Sequence, residues 1–181
     1  MADEYVPKTR EYDLSSRSGG RSVGFTEAVK SAFANYVNFS GRAQRAEYWW
    51  FILFTFIGSM VTGVIDGVVF GWDDADGEIF SSIFSLAVLL PSLAVGWRRL
   101  HDTGRTGAWL LLPYGVLIFA VVAIVTTGMA EAMSAIVVVA LIVLTLASFV
   151  YVIVLLCLDS DPHSNRFGPS PKYGSQADIF T

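Results

Sequence analysis

Four long apolar windows decide what this chain can fold into. Ile79–Gly96, Ala108–Thr126 and Met133–Leu158 contain no Asp, Glu, Lys or Arg, and Tyr48–Phe70 contains only Asp66. Each window is at least 18 residues long. A helix needs about 20 residues to cross a hydrocarbon core about 30 Å thick. A soluble chain of this size would carry about 25% charged residues. This one carries 15%, gathered at its ends and connections. The expected fold is all-α, a four-helix transmembrane bundle. Pro91 and Pro113 fall inside the second and third spans. Each removes a backbone donor and kinks its helix, so a neighbour must re-satisfy the freed carbonyl.

The positions of lysine and arginine set the direction of the spans. Seven lie before Tyr48, three (Arg98, Arg99 and Arg105) lie between the second and third spans, and two (Arg166 and Lys172) follow the fourth. Those are all 12 in the chain. With four crossings every one falls on a single side, the cytoplasmic side, together with both termini. The opposite side carries Asp73, Asp74, Asp76, Glu78 and Glu131. Trp49, Trp50, Trp97 and Trp109 sit at the expected cytoplasmic ends and Trp72 at an outer end, as an aromatic belt requires.

Residues 1–23 are polar, with balanced charge, and read as a disordered cytoplasmic tail. In 24–39, Phe25, Val29, Phe33, Tyr36 and Val37 recur at helical spacing, with Glu27, Lys30 and Asn38 between them. This is an amphipathic helix of about four turns. It lies in the interface plane with its apolar face toward lipid, or it packs on the cytoplasmic ends of the bundle. The membrane domain then occupies 24–173, and 174–181 form a C-terminal tail.

Several function classes lose support at this point. The net charge of −4 offers no basic face for nucleic acid. Cys157 is the single cysteine, and His101 and His163 are the only histidines. Neither a cysteine metal cluster nor a resident cofactor is expected. The outer connections are too short to fold, so specific polar chemistry belongs on the basic side.

Two features within the first span qualify as candidates. Thr55, Ser59, Gly63, Gly67 and Gly71 place a small residue at every fourth position. Such a stripe lets another helix approach closely. The partner is a helix of the same chain or, through Ser59, Gly63 and Gly67, a second copy. Asp66 is the only ionisable residue within a span, a functional candidate by default. It lies 18 residues beyond Tyr48, about 27 Å along a helix. That depth is expected to let its carboxylate reach water at the outer headgroups, with no buried partner.

On the basic side three segments converge. They are FSGRAQRAEYWW (Phe39–Trp50), WRRLHDTGRTGAW (Trp97–Trp109) and NRFGPSP (Asn165–Pro171). Together they supply Arg42, Arg45, Glu47, Arg98, Arg99, His101, Asp102, Arg105, Asn165 and Arg166. Arginine forks bind phosphate in bidentate fashion, which suits an anionic lipid headgroup. Alternatively the arginines pair with Glu47 and Asp102 and clamp the helix ends together. On the clamp reading Glu47→Arg is expected to compensate for Arg99→Glu. A third option makes His101 a general base oriented by Asp102 or Glu47, though no serine or cysteine nucleophile stands in a recognisable setting.

In this order, around four hydrophobic spans, these motifs closely resemble the bacterial inner-membrane family called domain of unknown function 805. The likeness covers roughly residues 25–173. One departure is DSDPHS at Asp159–Ser164, where the resemblance implies a glycine-rich approach. The resemblance implies a four-helix inner-membrane protein and no particular activity. The expected function is a non-enzymatic scaffold or accessory protein whose cytoplasmic face binds anionic lipid or a partner protein. A small-solute transporter or channel is the alternative. Reporter fusions after residues 47, 103 and 181 are predicted to report the cytoplasm, and fusions within 72–78 and 127–132 the outside. A C-terminal fusion active only outside the cytoplasm would overturn the four-span topology.

Overall fold

The computed structural model describes residues 23–72, 77–126 and 135–173. The tails at 1–22 and 174–181, and the acidic residues Asp73, Asp74, Asp76 and Glu131, lie outside the described residues. The described chain is helical: α1 (Phe25–Ala34), α2 (Arg45–Phe70), α3 (Ile79–Asp102), a 3-10 turn (Gly107–Leu111), α4 (Leu112–Thr126) and α5 (Ala135–Cys157). The last four helices, with the 3-10 turn extending α4, are long and apolar enough to cross a membrane. This is a multi-pass membrane protein, with the four spans expected from the apolar windows.

α2 packs along α3, and α4 packs along α5. The two pairs join through Leu100 of α3 and Val152, Leu155 and Leu156 of α5, with Tyr48, Leu110 and Leu112 against them. A second core of Ala32, Ala43, Phe51 and Val95 seats α1 on the first pair. Both cores sit toward the end that bears the basic residues. Farther along, α4 and α5 present long exposed side chains such as Ile118, Phe119, Val139 and Ile142, as lipid-facing helices do.

α1 is shorter than expected. It stops at Ala34 because Asn35 turns its side-chain amide back to the Ser31 carbonyl, 2.9 Å away. Of the two placements expected for this helix, the structure shows packing on α2 and α3. Its buried residues are Ala28 and Ala32, whose small side chains permit close approach. Phe25 meets Trp50 edge-on at 6.0 Å, and Phe33 meets Phe51 and Phe54, each at 5.8 Å. The outer side of Phe25 and Phe33 stays exposed.

Pro91 inside α3 explains how far this first segment reaches. Pro91 has no N–H, so the carbonyl four residues earlier, at Ala87, lacks its helical donor. The Tyr36 hydroxyl donates to that carbonyl at 2.6 Å. Ala87 lies 15 residues before the end of α3, about 22 Å along the helix. The chain after α1 therefore carries a phenol to mid-span depth. Pro113 needs no such partner. It is the second residue of α4, where a missing N–H costs little, and the Trp109 carbonyl takes the Leu112 N–H of the 3-10 turn.

Two expectations about α2 are corrected. Asp66 does not reach water: it is 5% exposed, and its carboxylate accepts the N–H groups of Phe80 and Ser81 at 2.9 and 2.8 Å. It caps the start of α3 from a neighbouring helix and faces the positive end of that helix dipole. The small-residue stripe is also not one contact. Gly67 lies under Trp72, Gly63 makes only ordinary contact with Ser81, and Ser59 is exposed. The close approach to α3 is one position off the stripe, at Gly58, where an added Cβ would sit 2.1 Å from the Phe84 ring.

Tyr36→Phe is predicted to destabilise the protein by about 1 kcal/mol, because it leaves the Ala87 carbonyl, within a membrane span, without a donor. In a Pro91→Ala background the backbone N–H at position 91 returns and takes the Ala87 carbonyl, so the cost of Tyr36→Phe should fall close to zero. Unfolding of the four proteins in detergent measures this coupling. Simple additivity would show that Tyr36 does not replace the missing donor.

Candidate functional site

α3 continues nearly two turns past its apolar window, so Trp97–Asp102, placed by the sequence between the second and third spans, are helical. A glycine ends it. Gly104 has φ +75°, its N–H donates to the His101 carbonyl at 3.0 Å, and the Arg105 N–H donates to the Leu100 carbonyl at 3.0 Å. This is a Schellman ending, which needs a left-handed residue at that position. It fixes Arg98, Arg99, His101 and Asp102 within the last turn and a half of the helix, leaving only Thr103–Thr106 as the connection.

Asp102 is a carboxylate at a helix C-terminus, where the dipole disfavours it, and it is wholly buried. Two arginines compensate. Arg99 donates from Nη1 to Oδ2 at 2.6 Å, and Arg42 donates from Nε to Oδ1 at 2.9 Å. Both guanidinium groups then complete their hydrogen bonding on backbone carbonyls. Arg99 reaches Leu156 at 3.1 Å and also Leu158, at the end of α5. Arg42 reaches Asp161 at 2.6 Å, His163 at 2.8 Å, and Gly168 and Asp102 at 3.2 Å each. The Asp161 N–H returns a bond to the Asp102 carbonyl at 3.1 Å. Two side chains thus tie the approach to α2, the end of α3 and the chain after α5 into one knot.

The tail is held by further contacts. Asn165 and Gly168 exchange backbone bonds of 3.1 and 2.9 Å, closing a tight turn in which Gly168 has φ +126°. The Asn165 side chain donates to the His101 carbonyl at 3.0 Å and accepts the Phe167 N–H at 2.9 Å. Phe167 stacks flat on the His101 ring, 3.7 Å between centroids. His101 Nδ1 meets the Gly41 carbonyl at 3.1 Å and neither carboxylate. The arrangement a general base would need is not the one present.

A second, smaller pair lies beside this knot. Glu47 Oε1 accepts Arg98 Nη1 at 3.2 Å and the Ser31 hydroxyl at 2.9 Å, joining α1, α2 and α3. The charge pairing differs from expectation: Glu47 partners Arg98, while Arg99 belongs to Asp102.

Of the ten candidate residues, Arg42, Arg99, His101, Asp102 and Asn165 come together, and Glu47 and Arg98 form the adjacent pair. Arg45, Arg105 and Arg166 stand outside. Arg45 is exposed, with no hydrogen bond or ion pair among the described residues. The Arg105 side chain donates to the Thr103 carbonyl at 3.3 Å, its one hydrogen bond among the described residues. Arg166 lies over the Phe167 ring. Sequence reasoning missed Ser31, Gln44, which donates to the Pro171 carbonyl at 2.7 Å, and the Lys172–Asp159 pair at 2.9 Å. The Lys172 ammonium holds the Asp159 carboxyl below its ordinary range. Ser31 left a trace, since with Ala28 and Ala32 it makes a small-residue face on α1 at helical spacing.

The family described as "Protein of unknown function (DUF805)" matches residues 36–169, the stretch from Tyr36 to the end of the Asn165 turn. The chain belongs to this family. It is 37% identical over 139 residues to Inner membrane protein YhaH of Escherichia coli (strain K12), covering 76% of this chain and 90% of that protein. It is 34% identical over 145 residues to Inner membrane protein YhaI of the same strain, covering 80% and 95%. Uncharacterized protein YiiR of that strain matches 37% over 76 residues, 41% of this chain and 48% of that protein. No solved structure matches. In this DUF805 chain the three motif segments are the ones that the buried arginines bind together.

Asp102→Asn is predicted to destabilise the protein by about 3–5 kcal/mol, since it leaves two buried guanidinium groups without a countercharge. The exchange Glu47→Arg with Arg98→Glu should recover part of the loss caused by either change alone. Glu47→Arg should not rescue Arg99→Glu. Thermal unfolding in detergent decides, and rescue of Arg99→Glu by Glu47→Arg would contradict the observed pairing.

Proposed function

We propose that this DUF805 protein is a non-enzymatic scaffold or accessory protein of the inner membrane, and that its basic end contacts anionic lipid. The relatives named as inner membrane proteins support the location. The confinement of lysine and arginine to one side supports placing that end in the cytoplasm.

One observation carries the reading. The arginines at the centre are consumed by internal partners, Arg42 and Arg99 by Asp102 and by carbonyls. They act as a clamp and have little capacity left for a ligand. Of the ten candidate residues, the cations left outside the knot are Arg45, Arg105 and Arg166 at the rim, where lipid phosphates would lie. The transport alternative loses its strongest support, because the Asp66 carboxylate is occupied in capping α3.

The test is thermal unfolding in nanodiscs of phosphatidylglycerol and phosphatidylcholine. Wild type should be more stable in phosphatidylglycerol, with about 1 kcal/mol attached to each basic residue near the surface. Replacing Arg45, Arg105 and Arg166 together by glutamine should abolish the difference. Equal stability of wild type in the two lipids would overturn the proposal.

A further inference from the structure

A groove of about 400 Å³ runs down the outer face of α2 from its first residue, lined by Arg45, Ala46, Trp49, Trp50 and Leu53. Its volume lies within the range of small-molecule sites. Its chemistry changes along its length. Arg45 stands at the mouth, and Leu53 lies eight residues on, about 12 Å deeper along the helix.

The walls are held in place from behind. Trp49 packs edge-on against Tyr48 at 5.2 Å, and Trp50 packs edge-on against Phe25 of α1 at 6.0 Å. Both indoles nevertheless stay partly exposed, as does Leu53. α1 therefore shapes one side of the groove without filling it. The nearby carboxylate of Asp159 is neutralised by Lys172, which bonds both its oxygens at 2.9 and 3.0 Å. Among the described residues Arg45 has no hydrogen bond or ion pair of its own, and it stands as a cation above an apolar, aromatic slot.

We propose that this groove is a binding site for one phospholipid, with the phosphodiester on the Arg45 guanidinium and an acyl chain over Ala46 and Leu53 between the two indoles. The inference deepens the lipid reading above and rests on it. A free phosphate would satisfy Arg45 alone and would leave the apolar slot unused. A phospholipid satisfies both ends, since a guanidinium fork matches a phosphate and tryptophans settle where headgroup meets chain. The occupant enters sideways from the bilayer, so the open side of the groove is its entrance.

Native mass spectrometry of the detergent-solubilised protein, titrated with phosphatidylglycerol, tests the site. Wild type should retain one lipid more tightly than the rest. Arg45→Gln should weaken that lipid about fivefold, the loss of one cation at the surface. Leu53→Trp, at an exposed position that tolerates bulk, should weaken it at least as much by filling the slot. Lys30→Gln removes an equal charge from the exposed side of α1 and should leave it unchanged. Glycerol phosphate should not compete. Unchanged retention in both groove variants would overturn this site while leaving the rim reading intact. Displacement by glycerol phosphate would mean the occupant is a phosphate and not a lipid. Absence of any phosphatidylglycerol preference in wild type would overturn both readings together.

Discussion

The fold depends on a buried carboxylate that cannot stand alone. Asp102 sits at the negative end of α3, away from water, where an unpaired charge costs several kcal/mol. Arg42 and Arg99 neutralise it and carry one positive charge in excess. That excess is spread over carbonyl dipoles from the ends of α3 and α5 and from the tail. Each element is therefore needed to solvate the charge of another. The helices far from this knot are held mostly by lipid and by their hairpin partner. At the basic end they are held by charged hydrogen bonds between specific partners.

The second constraint is backbone satisfaction inside the bilayer. Three groups illustrate it, and each is met from a different part of the chain. The first-turn amides of α3 are met by Asp66 of α2. The carbonyl freed by Pro91 is met by Tyr36. Where α3 leaves the hydrocarbon, its final carbonyls are met by the glycine ending at Gly104. No lipid can replace these donors and acceptors, so the polar residues of the spans are assigned to repair.

Much of the scaffold was legible in the sequence because hydrophobicity and charge segregation both report on the membrane. The four spans and the convergence of three motif segments follow from those signals. The end of α3 was misjudged because WRRLHD is too polar for hydrocarbon, yet a helix continues readily into the headgroup layer. Asp66 was misjudged because depth along one helix says nothing of a neighbour's terminus. The wrong partner for Arg99 has a different origin: most acceptors in the knot are carbonyls, which every residue carries. The same fact accounts for DSDPHS at 159–164, since Asp161 and His163 contribute main-chain oxygens there. A segment recognised through its backbone can vary its side chains.

The Tyr36 contact also fixes an order of events during biogenesis. A ribosome makes the chain from its N-terminus, so the phenol exists 51 residues before the carbonyl it serves. While Pro91 is still unmade there is no helix with a freed carbonyl to receive it, and a bare hydroxyl has no reason to leave the water–lipid boundary. Tyr36 takes its place only once α3 brings Pro91 into the bilayer, whereas α1 itself packs mostly on α2 and needs no such delay. A bond made early in sequence is thus completed late, after two spans have followed it.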